Sequence, residues 1–495
     1  MLLWTVLFIV FLKVSALGSA PGETACCCPQ GDHDGCCGQA QEVDVVVVGG
    51  GVAGLTALNT LLQHNVTSVV LLEAQDRLGG RVRTFRQGGV LVEDGAEWIH
   101  GDRRNPLHRL ARSLGALDTP TPDDAWDFRL VTEEGEDGDE ATYDKLMSLM
   151  EETNENGVLE PYYNMSYGYY FLDRFPEVFP ANTPRRDALL HLLEQTVNYM
   201  EGTGSWEDIA AQDADQYIDH GENFQWADGY DTLIDHLKAK IPGEAVRLSS
   251  PVTRVSWSCP ARPSQARVVT QGGQVFLARH VLVTVSAAYL QLHHDSLFQP
   301  PLPAEFLKKL SGVKLGVANK VQLGWPEPWW GPRPLELTIL WTKFDLPQNM
   351  SWLHGVVSLF SVHRQRAVLE LFVTGSHSSQ MEALEEDEVK AHVTHLLRRV
   401  SGQDVPEPTF FRRTRWGSDP WTLGSYSTFV TMEGNKAGLR RRSQLATPLK
   451  NSTGHTVLLW AGEHTHNTRY STVDGAMETG QREARRIAHL LKAYC

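Results

Sequence analysis

Apolar and polar positions alternate along this chain in two rhythms. From Val43 the sequence reads VDVVVVGGGVAGLTALNTLLQHNVTSVVLLE. The unbroken apolar run from Val45 to Val48 predicts a strand buried on both faces, and Val52, Leu55, Leu58, Leu61 and Leu62 follow at helical spacing. A second apolar run, Val69 to Leu72, ends at Glu73, which makes a strand, a helix and a second strand. The rhythm returns after residue 226. A helix carrying Leu233, Leu237 and Ile241 precedes strands around Val246 and from Val252 to Val255, then strands near 267–270, 275–277 and 280–284. Lys320 opens another apolar strand. The last unit is a strand from Thr456 to Trp460, a Gly-Glu turn, and a helix starting near Gly475. Between 116 and 225 the pattern turns helical, at 143–150, 186–200 and behind Ser205, while the acidic run 133–140 reads as a solvated loop. Residues 335–410 read as a mixed sheet with helices, and Glu385 to Glu388 cap the helix that continues to Arg399.

The first unit carries chemistry as well as pattern. Gly49, Gly51 and Gly54 stand at GxGxxG spacing between strand and helix. Gly49 allows the tight turn, Gly51 lets the backbone approach a pyrophosphate, and Gly54 lets helix pack on strand. The helix N-terminus then faces the phosphates. Glu73, about twenty residues on, can accept hydrogen bonds from both ribose hydroxyls, which favours an adenosine without a 2′-phosphate.

Charge and composition narrow the class. The chain has 495 residues, 42% of them apolar and 21% charged, which is enough for two or three domains with a large core. A net charge of −15 excludes a nucleic-acid partner and suits a cationic substrate. The apolar stretch from Leu2 to Leu12, followed by small residues, reads as a signal peptide over 1–20. Sequons at Asn65, Asn164, Asn349 and Asn451 agree with a secreted protein without a stable membrane span after cleavage; an uncleaved N-terminal anchor is the alternative. Cys26, Cys27, Cys28, Cys36 and Cys37 crowd a Gly-rich segment over 21–41. They lack a histidine framework, so disulfides or a processed tail are expected and no metal site.

Five segments carry a family resemblance. They are EAQDRLGGRVRT (73–84), GAEWIHG (95–101), the NKV strand at Lys320 with its Pro/Trp-rich turn, RTRWGSDPWTLGSYST (413–428), and GEHTHNTRYSTVDGAMETGQREA (462–484). Together they resemble the flavin-containing amine oxidases, and the GAEWIHG segment resembles the polyamine and spermine oxidases within them. The resemblance implies an α/β fold with an α+β second domain. A Rossmann-type FAD-binding domain is assembled from 42–115, 226–325 and 427–495, and a mixed-sheet substrate domain with helices from 116–225 and 326–426. It implies FAD contacts from Gly49, Gly51, Gly54, Glu73, Arg81, Gly95, Trp98, Val252, Glu463, Thr472 and Val473. Lys320 becomes the active-site lysine that holds a water, and His100 faces the substrate channel. Tyr426 becomes an aromatic wall beside the flavin, Ser471 lies at the substrate end, and Glu97 is a carboxylate for a distant ammonium. Where a covalently flavinylated relative carries cysteine, this chain has Asn467, Thr468 and Arg469, so the FAD is expected to be non-covalent.

Three departures mark this chain. VSAAYLQ from Val285 replaces VPLGVLK, Asp474 replaces a histidine, and Thr479 replaces a serine. The implied activity is oxidation of spermine, spermidine or their N-acetyl forms by hydride transfer to flavin, imine hydrolysis to an aminoaldehyde and a smaller amine, and reduction of O2 to H2O2. Oxidation of another amine, or an inactive FAD-fold binding protein, stays open at this point. So do the bond cleaved and the oligomeric state.

Overall fold

The computed structural model describes residues 40–119, 121–258 and 265–493. The expected signal peptide, the cysteine-rich segment but for its last two residues, and all seven cysteines lie outside them. The strand Gln41–Val48 runs parallel to Val69–Leu72 on one side and to Val275–Val283 on the other. Because it is central, Val45, Val46 and Val47 are fully buried, as an apolar run without alternation requires. Val281 to Val283 also pair in parallel with Leu458 to Trp460, bringing the C-terminal strand into the same nine-stranded sheet. The two short runs expected at 275–277 and 280–284 are one strand, Val275–Val283.

Helices close over this sheet by near contact of backbones. A Cβ on Gly54 would lie 2.0 Å from the Gly49 carbonyl oxygen, and one on Gly480 would lie 2.2 Å from the carbonyl oxygen of Ala53. Absent side chains therefore let the Val52–Gln63 helix settle on its strand and the Val473–Ala493 helix settle on Val52–Gln63. Leu55, Leu58, Leu61, Ala484, Ile487 and Leu491 share the resulting core.

A six-stranded sheet forms the second layer, with Ala318–Gly324 inside it between Val368–Thr374 and Phe410–Arg413. This strand was expected with the first domain, whose boundary was set at 325; its hydrogen bonds place it in the second sheet. Side chains alternate across it. Val321, Leu323, Leu337, Leu359, Leu369 and Leu371 bury one face. The register puts Lys320 opposite Phe372 and Gln322 opposite Glu370 on the other. Helices Glu140–Glu151, Tyr167–Val178 and Arg186–Glu201 pack around Leu146, Phe171 and Leu192.

Local differences have local causes. No helix follows Ser205: its hydroxyl accepts a hydrogen bond from Glu207 N in a turn, and Ile209 and Ala210 make β-bridges before a short helix, Ala211–Ala214. The acidic run is not all solvated. Glu133 is fully buried, accepting from Thr342 N and Oγ1, and a helix starts at Glu140. The Glu385 cap is a capping box with Glu388. Asn451 is buried and its Oδ1 accepts from Thr453 N and His455 N, a position turned away from solvent. No helix among the described residues is long and apolar enough to cross a membrane.

The crossing of first and last helix gives a prediction. Gly480→Ala forces apart backbones that now touch, and should destabilise the protein by about 1–3 kcal/mol. Thermal unfolding should show a lower Tm than wild type, and an unchanged Tm would show that the crossing has slack.

Candidate active site

A cavity of about 620 Å³ runs from the first glycine turn to the polar face of the six-stranded sheet. Of the residues expected to form a site, Gly49, Gly51, Glu73, Arg81, Gly95, Glu97, Trp98, His100, Val252, Lys320, Tyr426, Glu463, Ser471, Thr472 and Val473 all line it. Gly54 does not, and its expected cofactor contact is corrected: it faces the Gly49 carbonyl and acts in packing.

One end of the cavity is built for a dinucleotide. Gly49 has φ +109°, and a Cβ on Gly51 would meet nothing within 4 Å, so the turn leaves open space in front of its backbone. Glu73 accepts from Gly50 N at 2.6 Å and Gln75 N at 2.8 Å while lining the cavity. Burial raises its pKa. The Ser286 hydroxyl caps the Ala287–Leu297 helix by accepting from Tyr289 N at 3.0 Å. The VSAAYLQ departure therefore keeps a strand, turn and helix at the cavity wall.

The middle of the cavity is tied by Glu463. Its Oε1 accepts from Arg81 Nη1 at 2.9 Å, and its Oε2 accepts from Ser427 Oγ at 2.5 Å and Ser471 N at 2.9 Å. Burial opposes its charge, yet Arg81, His464 and these donors hold it down at about 2. Ser471 sits at φ +66°, a strained position for a serine. Its hydroxyl donates to the Ser427 carbonyl. Gly95 packs so closely that a Cβ would lie 1.9 Å from the Arg81 carbonyl oxygen.

The Asp474 departure has its own partner. Asp474 accepts from Arg469 Nε at 2.7 Å and Nη2 at 3.2 Å, with both side chains buried. It lies in the first turn of the last helix, where negative charge is favoured. Arg469 also donates to the carbonyls of His100 and Ile218, both at 2.8 Å, and so holds the His100 turn against the C-terminal motif.

At the far end Lys320 is 3% exposed. Its ammonium lies 2.5 Å from Glu97 Oε2 and 3.3 Å from Glu370 Oε1. Burial works against its charge, and Glu370 and Glu97 outweigh that and raise its pKa. Glu370 is pushed well above the carboxylate range by burial and by Glu97 beside it. Gln322 bridges the cluster, donating to Glu370 Oε2 at 2.5 Å and to the Glu93 carbonyl at 3.1 Å. Rings close over the ammonium, with Phe372 at 5.0 Å and Trp98 at 5.5 Å. Nearby, Tyr426 donates to the Tyr199 carbonyl at 3.3 Å. His100 Nδ1 lies 3.1 Å from Asn223 Oδ1, and burial lowers the ring's pKa, so it is neutral beside the cavity.

Sequence reasoning missed Glu370, Glu201, Tyr199 and Phe372. Glu370 had a signal: it is the one charge in the apolar strand VLELFVT, at a position whose neighbours on both sides are core leucines. Glu201 ends a helix and gave none. It lines the cavity, and burial and Asp213 push it up to about 8, with Arg442 opposing.

Comparison with known proteins agrees with this geometry. The family described as flavin containing amine oxidoreductase matches residues 52–488. The chain is 31% identical to the human peroxisomal N(1)-acetyl-spermine/spermidine oxidase, over 90% of this chain and 95% of that protein. The Bos taurus protein of the same name is 30% identical, over 90% and 94%. Wild-type putrescine oxidase, solved bound to putrescine, superimposes with a TM-score of 0.69 over 91% of this chain and 100% of that one at 21% identity, which shows the shared fold. Both mammalian relatives are peroxisomal by name, and this overturns the expectation that the chain is secreted. By the extent of the family match, by relatives that align over nearly its whole length, and by a cavity whose glycine turn and Glu73 suit an adenosine diphosphate, the chain belongs to the flavin-containing amine oxidoreductases, with FAD as its cofactor.

Proposed function

We propose that this enzyme oxidises polyamines, spermine, spermidine or their N-acetyl forms, at a carbon–nitrogen bond. Water then splits the imine into an aminoaldehyde and a smaller amine, and O2 becomes hydrogen peroxide. The observation that supports this most is the Lys320, Glu97 and Glu370 cluster, set under Trp98 and Phe372 on the wall of the dinucleotide cavity. Aromatic walls of this kind suit a cationic substrate. The named activity of the mammalian relatives points the same way.

FAD, when bound, supplies the two-electron acceptor that no side chain provides. The Gly49 and Gly51 turn and Arg81 would hold its phosphates, Glu73 the ribose, Val252 the adenine, and Glu463 the ribitol side. Gly95, Trp98 and the backbone at Thr472 and Val473 would meet the flavin. Asn467, Thr468 and Arg469 offer no thiol, which supports a non-covalent link. Residues 42–115, 226–325 and 427–495 serve the cofactor, and 116–225 and 326–426 the substrate, with Ala318–Gly324 contributing Lys320 to both.

The protein's own part is to place and neutralise the amine. Tyr426, Tyr199 and Ser471 line the cavity, and a neutral His100 adds a hydrogen-bonding group without repelling a cation. Glu97, 2.5 Å from the ammonium, keeps Lys320 charged, which lets it order a water at the reacting end. The reacting nitrogen needs a lone pair, so an arriving ammonium must lose a proton. Glu201, a carboxylate only above about pH 8, accepts it.

Three outcomes test this. Anaerobic spermine should bleach the flavin absorbance of the purified holoenzyme, and air should restore it with release of peroxide; a band that stays yellow with spermine, spermidine and their acetyl forms would sink the reading. Lys320→Met should lower kcat/KM about 100-fold with flavin content retained. For Glu201 the raised pKa leaves the carboxyl neutral below pH 8 and anionic above it, so kcat/KM should rise through about pH 8. Glu201→Gln should lose that limb of the profile and keep any limb that belongs to the substrate.

A further inference from the structure

Arg442 opens the short helix Arg442–Ala446 and is fully buried, yet none of the cofactor or substrate contacts above involves it. Its guanidinium is held on several sides. Nη2 donates to Asp213 Oδ2 at 2.7 Å and to the Thr428 carbonyl at 2.5 Å, and Nε reaches the same Oδ2 at 3.3 Å. The remaining nitrogen, Nη1, donates to Ser427 Oγ at 3.1 Å. The guanidinium carbon also stands 3.7 Å from the centre of the Tyr470 ring. Tyr470 lines the cavity and Arg442 does not, so the charge sits one residue behind the wall.

Most of these contacts explain how a charge can be kept there. Asp213 neutralises it, while the Thr428 carbonyl and the Tyr470 ring cover its other faces. Donation to a neutral hydroxyl adds little to that balance, but it decides where the hydroxyl's proton goes. Serine has one proton and two lone pairs, and Arg442 occupies a lone pair of Ser427 Oγ. Two acceptors are then in reach of the proton, Glu463 Oε2 at 2.5 Å and Ser471 Oγ at 3.4 Å. The first is nearer and ionised, and the Ser471 hydroxyl donates its own proton to the Ser427 carbonyl. The Ser427 proton therefore lies on Glu463. A chain of donors results, Arg442 to Ser427 to Glu463, charged at both ends, in which each bond polarises the next. The other oxygen of Glu463 accepts from Arg81 at 2.9 Å, so the carboxylate is fixed from two directions at the cavity wall.

We propose that Arg442 is a positioning residue for the cofactor: it directs the Ser427 hydroxyl onto Glu463 and so holds that carboxylate toward the ribitol of FAD. This rests on the reading above that Glu463 meets the ribitol side, and it adds the residue that aims the carboxylate. Asp213, the counter-charge, stands on Ala211–Ala214, in the segment assigned to the substrate. The brace therefore runs from that segment through Arg442 and Ser427 to the cofactor.

The test follows FAD release from diluted holoenzyme by the rise in free-flavin fluorescence. Arg442→Met is made together with Asp213→Asn, so that no buried carboxylate is left unpaired, and is read against Asp213→Asn alone. Release should be about tenfold faster without Arg442, and about tenfold faster in Ser427→Ala. Because one residue acts through the other, adding Ser427→Ala to the Arg442 variant should change release by less than about twofold. Release about 100-fold faster in the combination would show two independent effects and overturn the proposal, as would unchanged release without Arg442. A role in folding alone lowers Tm and leaves no such dependence on Ser427. Should the paired variant not fold, Arg442→Lys keeps a cation for Asp213 but lacks the fork that spans Asp213, Thr428 and Ser427. It should release FAD several-fold faster, and wild-type release from it overturns the proposal. Failure of the underlying reading shows itself differently, as Glu463→Gln holoenzyme that keeps FAD as wild type does.

Discussion

A lysine ammonium buried at the joint of two sheets sets the terms for this structure. Removing such a charge from water costs several kcal/mol, and the cost is met only if carboxylates stand close with their remaining atoms hydrogen-bonded. Glu97 and Glu370 stand close to Lys320, and Gln322 fixes Glu370 in turn. Glu97 belongs to the turn after the first domain's hairpin, Lys320 and Glu370 to the second sheet. The ion pair is therefore also the tie between the layers, reinforced by Arg412 on the buried Asp94 and by Trp416 Nε1 donating to the Asp94 carbonyl at 2.9 Å.

What was legible in the sequence follows from how local each signal is. The glycine turn, its flanking strands and the C-terminal repeat of the same geometry are short-range patterns, and they appear where the spacing put them. Site residues inside conspicuous segments, such as Arg81, His100, Tyr426 and Glu463, reach the cavity together although nearly four hundred positions separate the first from the last. The sheet that receives Lys320 was not legible, because strand partnership is a long-range fact that residue 320 does not record. Glu133 was misjudged for the same reason: in a run of acids only the tertiary partner, Thr342, distinguishes the buried one.

The departures from the family pattern prove to be local exchanges. Asp474 brings a buried partner, Arg469, and the pair gains the His100 carbonyl as a further anchor. Thr479 donates to the Ala476 carbonyl at 2.9 Å and accepts from Gly462 N at 3.0 Å, joining the last helix to the Gly-Glu turn. Ser286 turns a proline position into a helix cap. In each case a hydrogen-bonded side chain keeps the backbone where the cavity needs it. None of the three is a sign of a decayed site.

The crossing of the Val52–Gln63 and Val473–Ala493 helices bears on how the protein is made. Residues that line the dinucleotide end come from segments about four hundred positions apart, Val48 to Ala53 and Gly462 to Ala476, and the Val473–Ala493 helix that locks them together is made long after the first of them. A nascent chain on the ribosome has the first glycine turn early and cannot close it. Cofactor binding to the closed cavity therefore waits for the Val473–Ala493 helix, and FAD stabilises the folded state by mass action from then on.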